Sequence, residues 1–443
     1  MTLQRQRWGH FTNLWRQFLP LSLSDVTMAA GDPAITFTLA HLPSATLNLG
    51  AVGIAKAISV FFESPIIMLL HASNALAPAA ASRRALRSFM ILSITILSVA
   101  LLIVAAPPVF YLVGHKLLGL ASPLLETSRA VLALLFLWPA AIGWRRYYQG
   151  LLIRSGESRW IARAGLARIA FVIAILWMGY RQQMHGAYLA ALALIAGVLV
   201  EAAIVTVAAQ ASGAAKLPEL AVAPKLPSDM RGVWRFYWPL ANSMLIVWGG
   251  RAILLGIVAR SVDATMALAA WPAAWGLVLV IANASRMVQQ IVIRNKGELS
   301  ASLLIGFATS VGAALSLLLV AVGSTAAGNA VIAVFVGGDP GLSAAVRPVI
   351  LVTAAVPLLV SIQNALQGFL ISEGLTHRVN VATWIGTTVL LATAYVGVHF
   401  NVAGATAAAV AMVLALLFEN TCLLVRAHDL ELNFFSTTKG TSS

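Results

Sequence analysis

Arg145 and Arg146 stand side by side within the apolar stretch Trp138-Pro-Ala-Ala-Ile-Gly-Trp-Arg-Arg-Tyr-Tyr-Gln-Gly150. A guanidinium offers a planar fork of donors that matches carboxylate and phosphate oxygens, so a buried pair of them points to anion binding. Gln149, three or four residues on, shares a helical face with either arginine. Successive residues on a helix diverge by about 100°, so the two arginines cannot aim at one point. One is free to face a cavity while the other pairs with an acid or snorkels to an interface. Trp144, Tyr147 and Tyr148 could stack on a ring or sit at a membrane interface. A shift of 218 takes Pro139, Gln149 and Gly150 onto Pro357, Gln367 and Gly368. The same shift takes Arg145 and Arg146 onto Gln363 and Asn364, so the chain carries a charged patch and a neutral counterpart.

Other ionisable residues fall in apolar runs as well: Lys56, Arg251 and Arg286, with the acids Asp25, Asp32, Glu63, Glu201 and Glu419. Five bases against five acids make structural ion pairs the competing explanation for any one of them. Lys56 could attract an anion or pair with Asp32. Arg286 lies among Asn283, Ser285, Gln289 and Gln290 and is a further candidate for an anion cavity. Asp25 and Asp32 lie seven apart, near one face, and Pro33 permits a bend after them. Asp32 and Arg251 occupy corresponding places in the two halves, so they could meet as a gate. Glu201 and Glu419 recur at a shift of 218 and are expected to pack or pair.

The elements that must position these groups follow from composition. Of 443 residues, 60% are hydrophobic and 10% charged, and mean hydropathy is +0.88. Soluble chains carry about a quarter charged residues, so the solvent here is lipid. Apolar runs predict an all-α polytopic membrane protein with twelve transmembrane helices, at 17–40, 47–74, 89–113, 130–153, 166–180, 187–210, 233–259, 265–293, 301–323, 346–371, 379–398 and 403–425. No cleavable signal is apparent, because Met1 to Arg16 lack an apolar core. Nineteen loop-side Lys and Arg, from Arg5 through Arg83, Arg154, Arg168 and Lys216 to Lys439, fall on one side, and five (Lys116, Arg129, Arg181, Arg260, Arg347) on the other. Both termini are therefore expected in the cytoplasm. The same distribution explains the net charge of +14 without nucleic acid. The single cysteine, Cys422, excludes an internal disulfide framework.

A Pro- and Lys-bearing segment, residues 212–232, separates an N-terminal lobe (1–211) from a C-terminal lobe (233–443). Leu14-Trp-Arg-Gln-Phe-Leu-Pro-Leu21 matches Val233-Trp-Arg-Phe-Tyr-Trp-Pro-Leu240 at a shift of 219. Gly156, Gly186 and Glu201 match Gly374, Gly404 and Glu419 at 218. Two six-helix repeats of one orientation predict pseudo-symmetric lobes around a central cavity.

Phe18-Leu-Pro-Leu21, paired with Phe236-Tyr-Trp-Pro-Leu240, resembles the progressive ankylosis (ANK) proteins, as does Arg251-Ala-Ile leading to Val258-Ala-Arg260. These belong to the wider MATE and flippase (MOP) superfamily, and the resemblance extends over most of the helices. It implies a secondary transporter that exports an organic or phosphate-bearing anion, of the citrate, nucleotide or pyrophosphate class. Arg145, Arg146, Gln149, Gln363, Asn364, Gln367, Arg251, Arg286 and Lys56 would meet the anion. It also implies that Asp25, Asp32 or Glu63 could bind a coupling H⁺ or Na⁺. The alternatives are a flippase for a lipid-linked polyanion, a cationic-drug antiporter run on Asp25 and Asp32, and a membrane receptor or scaffold. No phosphate loop, metal-ligand spacing or nucleophile motif is present, so no catalytic residues, metal or cofactor are expected. A monomer in a bacterial cytoplasmic membrane is expected, with a small-molecule partner and the bilayer.

Overall fold

A computed structural model describes residues 2–112, 114, 122–216, 226–335 and 340–428; within its helices the side chains of residues 2–8, 24–30, 32, 33, 36, 40, 45, 46, 122, 252, 265, 268, 335 and 428 lie outside the description. The first half of the chain comprises α1 (Thr2–Ala40), α2 (Ala45–Glu63), α3 (Leu69–Leu76), α4 (Ala80–Ala105), α5 (Pro107–Tyr111), α6 (Ser122–Leu134), α7 (Trp138–Ser155), α8 (Arg159–Arg181) and α9 (Gly186–Ala211). The second comprises α10 (Met230–Val258), α11 (Ala264–Ala282), α12 (Val288–Asn295), α13 (Ala301–Ser324), α14 (Ala326–Phe335), α15 (Pro340–Val352), α16 (Val356–Ser372), α17 (Thr376–His399) and α18 (Gly404–His428). Ten helical stretches among the described residues are long and apolar enough to cross a membrane. α1 and the broken pair α2–α3 complete the twelve segments expected from the apolar runs.

The two halves repeat helix by helix. α2 and α11, and α3 and α12, start and stop at a shift of 219. α6 and α15 do so at 218, and the starts of α7 and α16 keep that offset. The second segment of each half breaks at the same place: after Glu63, where Pro65 supplies no N–H, and at the 3-10 turn Asn283–Met287. Pro139 and Pro357 occupy the first turn of α7 and α16, where a missing N–H costs nothing. Gly156 and Gly374 follow those helices at φ 87° and 77°, a left-handed conformation that glycine adopts without a Cβ clash. Gly150 lets α7 approach α3 closely: a Cβ there would lie 2.7 Å from the Leu70 carbonyl and 2.9 Å from the Asn74 amide nitrogen. Gly368 repeats this on α16, where a Cβ would lie 3.1 Å from the Gln289 carbonyl.

By internal contacts the chain forms two units, Leu23–Ala241 and Met1–Ser22 with Asn242–Ser443. The start of α1 therefore belongs with the second half, and the start of α10 with the first. Within one unit, the Phe307 ring of α13 meets Phe11, Trp15 and Phe18 at 6.0, 5.5 and 5.6 Å. Within the other, Phe89 of α4 meets Trp234 and Tyr237 at 6.0 and 4.9 Å. Phe89 and Phe307 correspond at the repeat shift, as do Trp15 and Trp234. Hydrogen bonds fix both helix starts. Asn295 Nδ2 donates to Gln17 Oε1 at 3.0 Å, and the Tyr237 hydroxyl donates to the Pro65 carbonyl at 2.7 Å.

Candidate functional site

Within the unit 23–241, α7, α8 and α9 converge on one carboxylate. Glu201, in the middle of α9, accepts from Arg145 Nη1 at 2.6 Å and from Arg168 Nη1 at 3.2 Å. Its other oxygen accepts from Gln149 Nε2 at 3.0 Å. Arg146 Nη1 donates to Gln149 Oε1 at 3.4 Å. Arg145 and Glu201 are 1% and 2% exposed. A carboxylate this deep would be very costly alone, and charge-assisted bonds from two guanidiniums offset its desolvation. The group Arg145, Arg146, Arg168 and Glu201 carries three positive charges against one negative. The 100° divergence of Arg145 and Arg146 is resolved by two different partners, Glu201 for one and Gln149 for the other. Trp144 donates to Thr206 Oγ1 at 3.0 Å, and Tyr147 and Tyr148 are buried against one another, so these rings pack inside the unit.

Arg168, expected among the loop arginines, instead lies well inside α8, buried against Glu201. A shift of 218 takes Arg168 onto Gly386 and Gly165 onto Thr383, and both of those meet Glu419.

Glu419 on α18 is the counterpart of Glu201, and its surroundings are neutral. Thr383 Oγ1 of α17 lies 3.2 Å from Glu419 Oε1, and Gln367 Nε2 of α16 donates to that oxygen at 3.4 Å. Gln363 also donates to the carboxyl group. Gln289 Nε2 extends the network to Gln367 Oε1 at 3.3 Å. Gly386 makes room for the second oxygen, since a Cβ there would lie 2.7 Å from Glu419 Oε2. Asn364 turns away and donates to the Ser285 carbonyl at 3.4 Å.

The remaining candidates are dispersed. Arg251 lies over the rings of Trp248 and Trp275, 5.3 and 5.8 Å from their centroids, a pair of cation–π contacts. Arg286, exposed on the 3-10 turn, is near enough for its charge to act on Arg251. Among the described residues no carboxylate forms a salt bridge with Arg251 or Arg286. Glu63 accepts from the Trp138 indole at 2.8 Å, and Lys56 is half-buried on α2. The side chains of Asp25 and Asp32, and with them the gate expected between Asp32 and Arg251, lie outside the described residues. Among the described residues no group of three or more His, Cys, Asp and Glu is placed to hold a metal.

No family model matches the sequence, and no curated protein matches it. Solved structures do match over nearly the whole chain. A MOP superfamily transporter from Pyrococcus furiosus, described as having a binding pocket of reverse polarity that suggests a different function, aligns at a TM-score of 0.77 and 14% identity, over 96% of this chain and 97% of that one. A multidrug-resistance MATE transporter in an outward-facing conformation aligns at 0.76 and 14%, over 95% and 96%. A mutant MATE transporter of Vibrio cholerae aligns at 0.75 and 17%, over 97% and 99%. The chain therefore has the MATE-like fold of twelve helices in two repeats.

Proposed function

We propose that this chain is a secondary transporter that exports an organic or phosphate-bearing anion by alternating access of its two repeats. The surplus of buried guanidinium around Glu201 carries the reading. Arg145 and Arg168 bond Glu201 and Arg146 bonds Gln149 beside it, so three buried guanidiniums stand together where a further anion would find charge-assisted donors with little further desolvation of the protein. Arg145 and Arg168 hold the internal carboxylate, and Arg146 with Gln149 would meet the cargo. Arg251 and Arg286 supply a second basic focus, flanked by Trp248 and Trp275. The fold supports a transporter, and the neighbour whose binding pocket of reverse polarity suggests a different function is a precedent for a change of pocket polarity on this fold. The resemblance to the ANK proteins narrows the class to citrate-like acids, nucleotides or pyrophosphate. The excess of Lys and Arg on one side of the membrane supports a cytoplasmic location for both termini.

The test is thermal stability of the purified protein against citrate, malate, pyrophosphate, ATP, a lipid diphosphate and cationic drugs. A ligand that binds only the folded state at 100 times its Kd adds about 2.7 kcal/mol. A soluble anion should raise Tm, and Arg146→Ala should abolish both that rise and anion transport in proteoliposomes while remaining folded. Stabilisation by cations alone would replace this reading with drug antiport. Stabilisation by the lipid diphosphate alone would replace it with lipid flipping.

A further inference from the structure

The two repeats place a carboxylate at the same position and surround it differently. Every group on Glu201 is an obligate donor: two guanidiniums and an amide nitrogen. Glu419 is 7% exposed and meets Gln363, Gln367, Thr383 and the space left by Gly386. Where Arg145 and Arg168 neutralise the first carboxylate, Gln363 and Gly386 stand beside the second.

The hydrogen bonds of Thr383 bear on the protonation of Glu419. The Thr383 Oγ1 lies 3.2 Å from the Val379 carbonyl oxygen and 3.2 Å from Glu419 Oε1. The hydroxyl has one proton, and a carbonyl can only accept. If Thr383 gives that proton to its own helix, as threonines in helices commonly do, the contact with Glu419 requires a proton on the carboxyl group. The hydrogen-bond partners of Glu419 are neutral side chains. α11 and α16, both packed on α18, carry no ionisable side chain. α15 contributes Arg347, which donates to the Gly323 carbonyl. α17 carries His377, Arg378, Tyr395 and His399 towards its ends, and Arg378 donates to the Arg426 carbonyl. α18 itself adds Cys422, Arg426 and His428. Arg286 lies on the 3-10 turn that packs on α16.

We propose that Glu419 is the proton-binding site of the second repeat: it holds a proton within the cage of Gln363, Gln367 and Thr383, and releases it to water when that cage opens in the transport cycle. One proton is gained and lost, the charge of Glu419 changes by one, and no other bond is made or broken. The coupling half of this proposal rests on the transporter reading; proton occupancy does not.

The experiment is infrared difference spectroscopy of the wild type against Glu419→Gln at neutral pH, with proteoliposome transport under an imposed pH gradient. The carboxylic C=O band should appear in the difference spectrum, and Thr383→Val, which removes the bonded hydroxyl, should shift it in the otherwise wild-type chain. Glu419→Gln should lose acceleration by the gradient while retaining exchange at equal pH on both sides. Absence of the band, with no Thr383→Val shift, overturns the site. A band accompanied by unchanged gradient dependence overturns the coupling. The spectrum needs no substrate, so failure of the anion reading and failure of this one are separable.

Discussion

At the scale of residues, the pair Glu201 and Glu419 shows how one repeated position acquires two chemistries. Removing one partner of a buried ion pair leaves the other charge uncompensated and costs about 3–5 kcal/mol. Glu201→Gln should therefore lower stability by about that amount, read by thermal or denaturant unfolding in detergent. A loss under about 1 kcal/mol would mean that Arg145 and Arg168 do not depend on that carboxylate. Much of this site was legible in the sequence. Two adjacent arginines in an apolar run, and a neutral patch 218 residues later, stand out against lipid. Arg168 was not legible, because an arginine near the start of an apolar run reads as loop charge. The partner of each arginine was not legible either. Helical spacing gives the direction of a side chain within its own helix, and the neighbouring helix that receives it is set by packing.

At the scale of elements, the turns are as informative as the helices. Asp263, just before α11, accepts from the backbone N–H of Gly404 at the head of α18, at 2.8 Å. Burial pushes the Asp263 carboxyl up, but this bond together with hydrogen bonds from the Ser261 side chain and the Asp263 backbone outweighs it and holds the group below its ordinary 3.8. A carboxylate whose folded value is depressed stabilises the fold above its unfolded value and loses that effect as pH falls through the folded one. The stability advantage of the wild type over Asp263→Asn should therefore be constant above about pH 5 and shrink as pH falls below 3.8. A difference that does not change with pH would remove the bond from the account. Helix positions were legible because apolar runs of about 20 residues have one use in lipid. The break after Glu63 carries its cause in Pro65, whereas the matching 3-10 turn at Asn283–Met287 contains no proline and has no such signature.

At the scale of the whole molecule, the repeat was legible as a pattern of Trp, Pro, Gly and Glu coincidences. The exchange of the two leading helix starts was not, since an aromatic stripe does not name the helix it packs against. Trp15 and Phe18 sit with Phe307, and Trp234 and Tyr237 sit with Phe89. Deleting residues 2–16 should therefore raise hydrogen exchange in α13 around Phe307 more than anywhere in 23–241. Faster exchange confined to 23–241 would contradict the grouping of the chain. The same arrangement sets an order of birth. Synthesis proceeds at about 5–20 residues per second, so Phe307 leaves the ribosome roughly 15–60 s after Phe18. Through that interval the earliest segment of the chain exists without the ring it will finally surround. Whatever inserts this protein must shelter an aromatic stripe of Phe11, Trp15 and Phe18 until the eighth and ninth spans arrive.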